Sequence, residues 1–343
     1  VPPKCYPSAL REDDDSLVSL PIVSSHAQQQ CPTIGADEAE ALDMATGILR
    51  DGGLVALPTE TVYGLAARIS EPSAIQRLYS AKGRPTNHPL IVHVDSAART
   101  DEYATRIPSP AREAMDAFWP GPLTLLLHRT SVVSSLVTGG RDTVAVRCPA
   151  NEFFRNVITR LDDVLVAPSA NRFGHVSPTR AHHVRADLGK QIDLIVDGGS
   201  TVLGLESTIV DFTTSVPQVL RHGALPCEDI EDVLDITLDT PHGQSRASGM
   251  LASHYAPRAR IQLVRSDKEA RAFMKTLESS GESVRVLEHA SHLPTYAATI
   301  YHQLRQADED GVGVVIAVLP PEYGIGAAIS DRLRKAAVTP FTE

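Results

Sequence analysis

The stretch LVALPTETVYG, residues 54–64, decides how this chain is read. Leu54, Val55, Ala56 and Leu57 form an unbroken apolar run that fits a short strand buried on both faces. Pro58 ends the run and forces an extended turn that exposes Thr59, Glu60, Thr61 and Tyr63. Just before it, Ala39, Leu42, Ala45, Ile48 and Leu49 recur at helical spacing over residues 37–50, and Asp51, Gly52 and Gly53 stop that helix. Helix, breaker, buried strand and polar turn, in that order, belong to an α/β protein.

Working outward, LIVHV (90–94), LTLLL (123–127), TVAVR (143–147), VLVA (164–167), DLIVD (193–197) and STIVDF (207–212) are further strand candidates. Helices are expected over 73–81, with Ser73 as N-cap, and over 110–117 and 152–159. The composition changes near residue 227, and DTPHGQSRASG (239–249) is polar and rich in breakers, as a linker is. Strands over 259–264, 284–289 and 313–320 then alternate with helices over 267–279, 296–308 and 325–337, which predicts a small parallel sheet. Four parts are expected: an N-terminal extension (1–34), a main α/β domain (35–226), an interdomain linker (227–258) and a small α/β unit (259–343). REDDD (11–15) and SSHAQQQ (24–30) in the extension have no periodicity and read as a flexible arm or an edge element.

With 343 residues the chain is long enough for two domains with real cores. A formal net charge of −10 argues against a surface built mainly for nucleic acid, although a local basic cleft is allowed. No apolar run approaches a membrane span, and no secretory signal is visible. Cys5, Cys31, Cys148 and Cys227 are widely spaced, so neither a disulfide scaffold nor a zinc site is expected, and a cytoplasmic setting fits best.

The residues that carry chemistry sit in loops after apolar runs, where open α/β sheets bind ligands. In AKGRPTNHPLIVHV (81–94), Lys82 and Arg84 flank Gly83, a pairing that suits phosphates or, equally, a solvated helix end. His88 and His93 bracket a strand, facing opposite sides of it, so no shared metal is expected. VLVAPSAN (164–171) delivers Ser169 and Asn171 into a loop, for ligand hydrogen bonds or for local turns. In DTVAVRCP (142–149), Arg147 ends an apolar strand and needs an anion, either a ligand or a structural carboxylate. Glu206, Ser207 and Thr208 lead into a strand, and Arg221 follows a second apolar stretch, with Gly223 allowing close backbone approach. A Walker A loop, a strand-anchored GxGxxG, HExxH and G-x-S-x-G are all missing.

Taken in order, PTETVYG, AKGRP-x-x-HPLIVHV, FWPGPLT (118–124), DTVAVRCP, APSAN, SPT (177–179), DGG (197–199), GLESTIVD (204–211) and LRHG (220–223) resemble the signatures of the threonylcarbamoyl-AMP synthase family. HYAP (254–257), after Gly249 and Met250, resembles the segment that closes the linker in its longer, two-domain members. The resemblance covers about residues 36 to 337; the N-terminal arm has no counterpart. It implies a twisted mixed sheet with helices enclosing a deep basic cavity, plus a small Rossmann-like α/β accessory domain. It also implies that L-threonine, bicarbonate and ATP give threonylcarbamoyl-AMP and pyrophosphate, the first step of a tRNA threonylcarbamoyladenosine modification. The product would pass to a tRNA threonylcarbamoyl-transferase complex, direct tRNA contact being compatible but not required.

By motif, Lys82, Arg84, His88, Thr143, Asn171, Ser177, Arg221 and Tyr255 would contact ATP, with Lys82 and Arg84 acting in catalysis. Thr61, His93, Arg147, Ser169 and Ser207 would hold threonine. Mg²⁺ would come with the triphosphate rather than sit in a protein cage. The linker would cover the cavity and gate it, because Tyr255 lies at its end. Two other readings compete. An RNA-binding module is disfavoured by the acidic balance and the absence of an aromatic stacking platform. The related carbamoyl-transfer enzyme of hydrogenase maturation would carry zinc-finger cysteine pairs and an acylphosphatase unit, neither of which is visible.

Overall fold

A computed structural model describes residues 31–240 and 255–338. Residues 1–30, residues 241–254 of the linker with Gly249, Met250 and His254 among them, and the last five residues lie outside the described residues.

The strands in chain order are β1 (Thr33–Gly35), β2 (Val55–Leu57), β3 (Gly64–Arg68), β4 (Ile91–His93), β5 (Ala104–Thr105), β6 (Leu123–Arg129), β7 (Thr143–Arg147), β8 (Leu165–Val166), β9 (Leu194–Asp197), β10 (Thr208–Asp211) and β11 (Gln218–Arg221). They form one mixed sheet in the order β1-β9-β2-β3-β8-β4-β7-β6-β10-β11, with β5 paired to β6. β12 (Arg260–Val264), β13 (Val284–Val286) and β14 (Val314–Val318) form a second, all-parallel sheet with β14 in the middle. The C-terminal helices Asp267–Ser279, Leu293–Glu309 and Ile325–Ala337 pack around it.

Each expected strand is present, mostly trimmed at its ends. Three features differ. Strand β3 was not among those expected: PTETVYG joins β2 to this antiparallel strand, because Gly64 resumes a ladder opposite Leu57. Thr33–Gly35, placed in the peripheral arm, pairs in parallel with β9 and extends the main sheet by one edge strand. The helix Pro72–Lys82 is capped by Glu71, whose carboxylate accepts from the Ser73 N–H at 3.4 Å, and Ser73 is not the cap because Pro72 already occupies the first turn.

The main core forms where the helices Ala41–Arg50, Pro72–Lys82 and Glu152–Leu161 lay apolar stripes on the sheet, with Leu49, Leu78 and Phe154 fully buried. A second apolar cluster crosses between the two sheets: Val62, Val176 and Leu205 pack with Tyr296, Ile300 and Leu333 of the C-terminal helices. Arg305 bridges to Asp187 at 2.8 Å beside it. The C-terminal unit is therefore docked on the same side of the main sheet as the 58–63 turn.

Phe154 lies against the His93 ring, 5.2 Å between centroids, so its packing also holds a cavity side chain. Phe154→Ala is expected to destabilise the main domain by about 3–5 kcal/mol. Asn151→Ala, which removes the cap accepting from the Phe154 N–H at 3.0 Å, is expected to cost only about 1 kcal/mol. Urea unfolding of both variants checks the ranking.

Candidate active site

The 58–63 turn is closed by Thr59, whose Oγ1 accepts from the N–H groups of Thr61 (3.1 Å) and Val62 (3.2 Å) and donates to the Val62 carbonyl (2.6 Å). Backbone bonds Ala170 N–H to Tyr63 O (2.8 Å) and Leu65 N–H to Pro168 O (2.8 Å) stitch this turn to the loop after β8. Thr61 and Ser169, 108 positions apart, are thereby neighbours. β4 and β7 run in parallel, and their register pairs His93 with Arg147 at their C-terminal ends. β10 runs parallel to β6, which separates it from β7, and starts opposite Leu123, so Glu206 and Ser207 reach the same cavity. The Cβ of any residue replacing Gly223 would lie 2.3 Å from the Ser207 carbonyl carbon, so only glycine lets the 221–223 segment cross there.

These elements enclose a cavity of about 50 Å³ lined by Thr61, Val62, Arg84, Ile91, His93, Arg147, Ala167, Pro168, Ser169, Glu206, Ser207, Arg221 and Tyr255. Eight residues singled out from the sequence are among them: Thr61, Arg84, His93, Arg147, Ser169, Ser207, Arg221 and Tyr255. Lys82, Asn171 and Ser177 stand immediately behind the lining. Lys82 Nζ donates to the carbonyls of Ser169 (2.6 Å) and Asn171 (2.5 Å). Asn171 Nδ2 donates to the carbonyls of Arg172 (2.7 Å) and His175 (2.9 Å), leaving a buried Oδ1 without a partner among the described residues. Ser177 Oγ donates to Glu206 at 2.5 Å.

The remaining two do not line the cavity. His88 lies off β4, which is shorter than expected, and its ring packs edge-on against Phe173 at 5.2 Å. The opposite-faces argument for His88 and His93 therefore does not apply. Thr143 pairs with His128 at the start of β7, four residues and roughly 13 Å of strand away from Arg147.

Burial governs the charges. Burial, then the neighbouring Arg84, holds the Lys82 ammonium well below its ordinary range. Arg84 is itself lowered to about 10, chiefly by burial; it donates to the carbonyls of His88 (3.2 Å) and Pro89 (2.8 Å) and stands over the Phe173 ring. Burial and Arg147 push His93 down to about 3, so it is a neutral imidazole. Arg221 donates to the Ser207 carbonyl through Nε (3.0 Å) and Nη2 (2.8 Å).

Two carboxylates that sequence reasoning left off the site complete it. Glu60 Oε1 accepts from Arg147 at 2.6 Å, which answers the open question about that arginine's anion, while its buried Oε2 has no partner among the described residues. Glu206 would be raised by burial, but Arg332 and Arg221 hold it down to about 2. Arg332 comes from the last C-terminal helix, and no local pattern in that helix marks it. Glu60 stood in the quoted turn, and its signal was the lone carboxylate opposite a strand-end arginine.

A larger groove of about 900 Å³ runs between Arg172–Val176 and Ala256–Ile261, but none of the candidate site residues named from the sequence lines it. Converging hydroxyl and cationic groups, not volume, mark the smaller cavity as the site. His182, His183 and His302 also gather within 4.8 Å. There His183 Nδ1 accepts the Thr179 N–H at 3.2 Å, so its proton sits on Nε2, facing His302 at 3.3 Å. That tautomer, with Arg180 and Arg305 nearby, disfavours a cation.

Comparison with known proteins agrees with this geometry. Residues 47–223 match the Sua5_yciO_yrdC family model, described as Telomere recombination, and residues 225–338 match Threonylcarbamoyl-AMP synthase, C-terminal domain. The Threonylcarbamoyl-AMP synthase of Pyrococcus abyssi is 40% identical over 316 residues, covering 86% of this chain and 93% of that protein. That of Bacillus subtilis is 37% identical over 317 residues, covering 85% and 92%. The crystal structure of P. abyssi Sua5 complexed with L-threonine superposes with a TM-score of 0.84 at 38% identity, covering 90% of this chain and 97% of that one. With both family models matching in sequence order and relatives aligned over nearly their full length, the chain belongs to the threonylcarbamoyl-AMP synthase family in its two-domain form.

Proposed function

We propose that this protein converts L-threonine, bicarbonate and ATP into threonylcarbamoyl-AMP and pyrophosphate, supplying the activated group for tRNA threonylcarbamoyladenosine. The observation that carries this reading is the convergence of buried cations and hydroxyls beside a small apolar wall. The threonine amine and bicarbonate lose water to give an N-carboxylate. One oxygen of that carboxylate attacks the α-phosphorus, and pyrophosphate leaves. Positioning and charge stabilisation do most of this work, so no side-chain nucleophile is needed.

Threonine is assigned to Thr61, His93, Arg147, Ser169 and Ser207, with its carboxylate on the Arg147 fork. The neutral His93 accepts or donates a hydrogen bond without adding charge. Val62, Ile91, Ala167 and Pro168 supply apolar surface for the γ-methyl group. Arg84 and Arg221 face the phosphates, with Lys82 behind them; Asn171, Ser177, His88 and Tyr255 contact the rest of ATP. Thr143 is the assignment that geometry supports least. A volume of about 50 Å³ holds only three or four waters, so nucleotide entry widens the cavity. Mg²⁺ would come with the triphosphate, held through phosphates and water rather than by a protein cage. Glu206 is fully engaged, and Glu60 Oε2 is the one carboxylate oxygen of the site without a partner among the described residues. Transfer of the product to a partner complex acting on tRNA follows from the same reading. No described helix is long and apolar enough to cross a membrane.

Pyrophosphate is expected only when ATP, threonine and bicarbonate are all present, and Lys82→Ala is expected to lower its release by at least about 100-fold. Full activity in a folded Lys82→Ala protein counts against the site. Serine lacks the γ-methyl group, so its kcat/KM is expected to be about 10–200-fold below that of threonine; equal use would remove the apolar wall from the account. A triphosphate beside Lys82 raises its lowered pKa, so between the free and bound values the complex holds a proton that the free protein lacks. Over that pH range, and not below it, ATP binding is expected to take up protons. Titration calorimetry in two buffers of different ionisation heat reads this uptake, which Lys82→Met should abolish.

A further inference from the structure

The wall of the cavity that faces the C-terminal unit is held from behind. Glu206 is buried, and both its oxygens are engaged. Oε1 accepts from Ser177 (2.5 Å) and Tyr301 (3.2 Å); Oε2 accepts from Tyr301 (2.9 Å) and from Arg332 Nε (2.9 Å). Tyr301 and Arg332 belong to the C-terminal helices Leu293–Glu309 and Ile325–Ala337, and neither is exposed to solvent by more than 1%. Arg332 Nη2 also donates to the His222 carbonyl at 2.9 Å, next to Arg221, and Nη1 donates to Asp331 at 2.5 Å.

The same two side chains hold Tyr255. Its ring stacks on Tyr301 with centroids 5.6 Å apart and planes 22° apart, and the Arg332 guanidinium stands 4.9 Å from its centre. Tyr255 has φ +63°, a left-handed conformation that a tyrosine keeps only where its surroundings impose it. Close docking of the two units is built into the backbone. A Cβ at Gly204, two residues before Glu206, would lie 2.5 Å from the Ala297 carbonyl oxygen of the C-terminal helix.

We propose that Arg332 is a positioning residue of the ATP site. It fixes Glu206 and Tyr255 on the cavity wall and cancels the Glu206 charge where a triphosphate has to come. The inference rests on the synthase reading above and deepens it by giving the C-terminal unit a part in nucleotide binding. A buried carboxylate left without its guanidinium is both poorly solvated and repulsive to phosphate. Its effect should therefore fall on ATP more than on threonine. Burial alone would favour a protonated Glu206, and Arg332 is the first of the two arginines that keep it ionised.

The test measures pyrophosphate release by the full chain, with ATP and threonine varied separately. The unmodified protein is assayed first; if it releases no pyrophosphate with all three substrates, the synthase reading fails and this inference falls with it. Given turnover, Arg332→Met is expected to raise the KM for ATP by about tenfold or more, with the KM for threonine within about threefold. Adding Glu206→Gln to Arg332→Met is expected to recover most of that loss, because the uncompensated charge is gone. An unchanged or lower KM for ATP, a fall in kcat alone, or no recovery in the double variant overturns the proposal. Where thermal unfolding shows that Arg332→Met does not fold, Tyr301→Phe decides. It deletes one hydroxyl on Glu206 and keeps the packing, and a rise of about two- to fivefold in the KM for ATP is expected. No rise in that variant overturns the proposal.

Discussion

Everything at the site follows from burying cations. Lys82, Arg84, Arg147 and Arg221 are each less than a tenth exposed, and all four gather around one small space. Charges removed from water need partners. Three of them are met in large part by main-chain carbonyls: Lys82 by those of residues 169 and 171, Arg84 by those of 88 and 89, and Arg221 by that of 207. Carbonyl dipoles satisfy donors without cancelling charge. Arg147 has a close carboxylate, Glu60, at 2.6 Å. The protein as a whole carries −10, yet its interior holds a local positive excess, and such an excess selects polyanions.

The surrounding fold supplies what that excess needs. Parallel β4 and β7 set His93 beside Arg147; the Thr59-closed turn sets Thr61 beside Ser169; the crossing at Gly223 sets Arg221 against Ser207. The first contact rests on the β4–β7 ladder, the second on the Thr59 hydroxyl and on main-chain bonds between the turn and the loop after β8, and the third on Arg221 donating to the Ser207 carbonyl. Such support holds donors within the tolerance that phosphoryl transfer requires. The apolar side of the cavity comes from the same strands, so one short set of elements defines both the charged and the apolar end of the site.

The second sheet bears on this chemistry as well as on stability. Its helices bury Tyr301 and Arg332 against Glu206, and an apolar cluster shared by both units keeps them there. A buried ion pair of this kind contributes little net stability compared with a well-packed apolar substitute. Its value lies in orientation, and here what it orients is a carboxylate and a tyrosine on the wall of the cavity.

Much of this was legible in the residues alone. Runs such as TVAVR and STIVDF identified buried strands because a strand covered on both faces has no polar alternation to lose. The C-terminal alternation of strands and helices was read to within three residues at each boundary, since each amphipathic helix there repeats at 3.6. Strand β3 was missed because GLAAR is short and begins with glycine, and β1 because three residues carry no period. Thr61, Arg84, His93, Arg147, Ser169, Ser207, Arg221 and Tyr255 could be named in advance because the motifs that hold them resemble those of a known family; the residues by themselves left such groups open between a ligand and a structural partner. Glu206, Tyr301 and Arg332 could not be joined in that way. Their spacings of 95 and 126 positions are bridged only by the docking of two units. Local chemistry is written along the chain, whereas the pairing of a buried charge with its partner is decided by packing, because only the folded protein removes both from water.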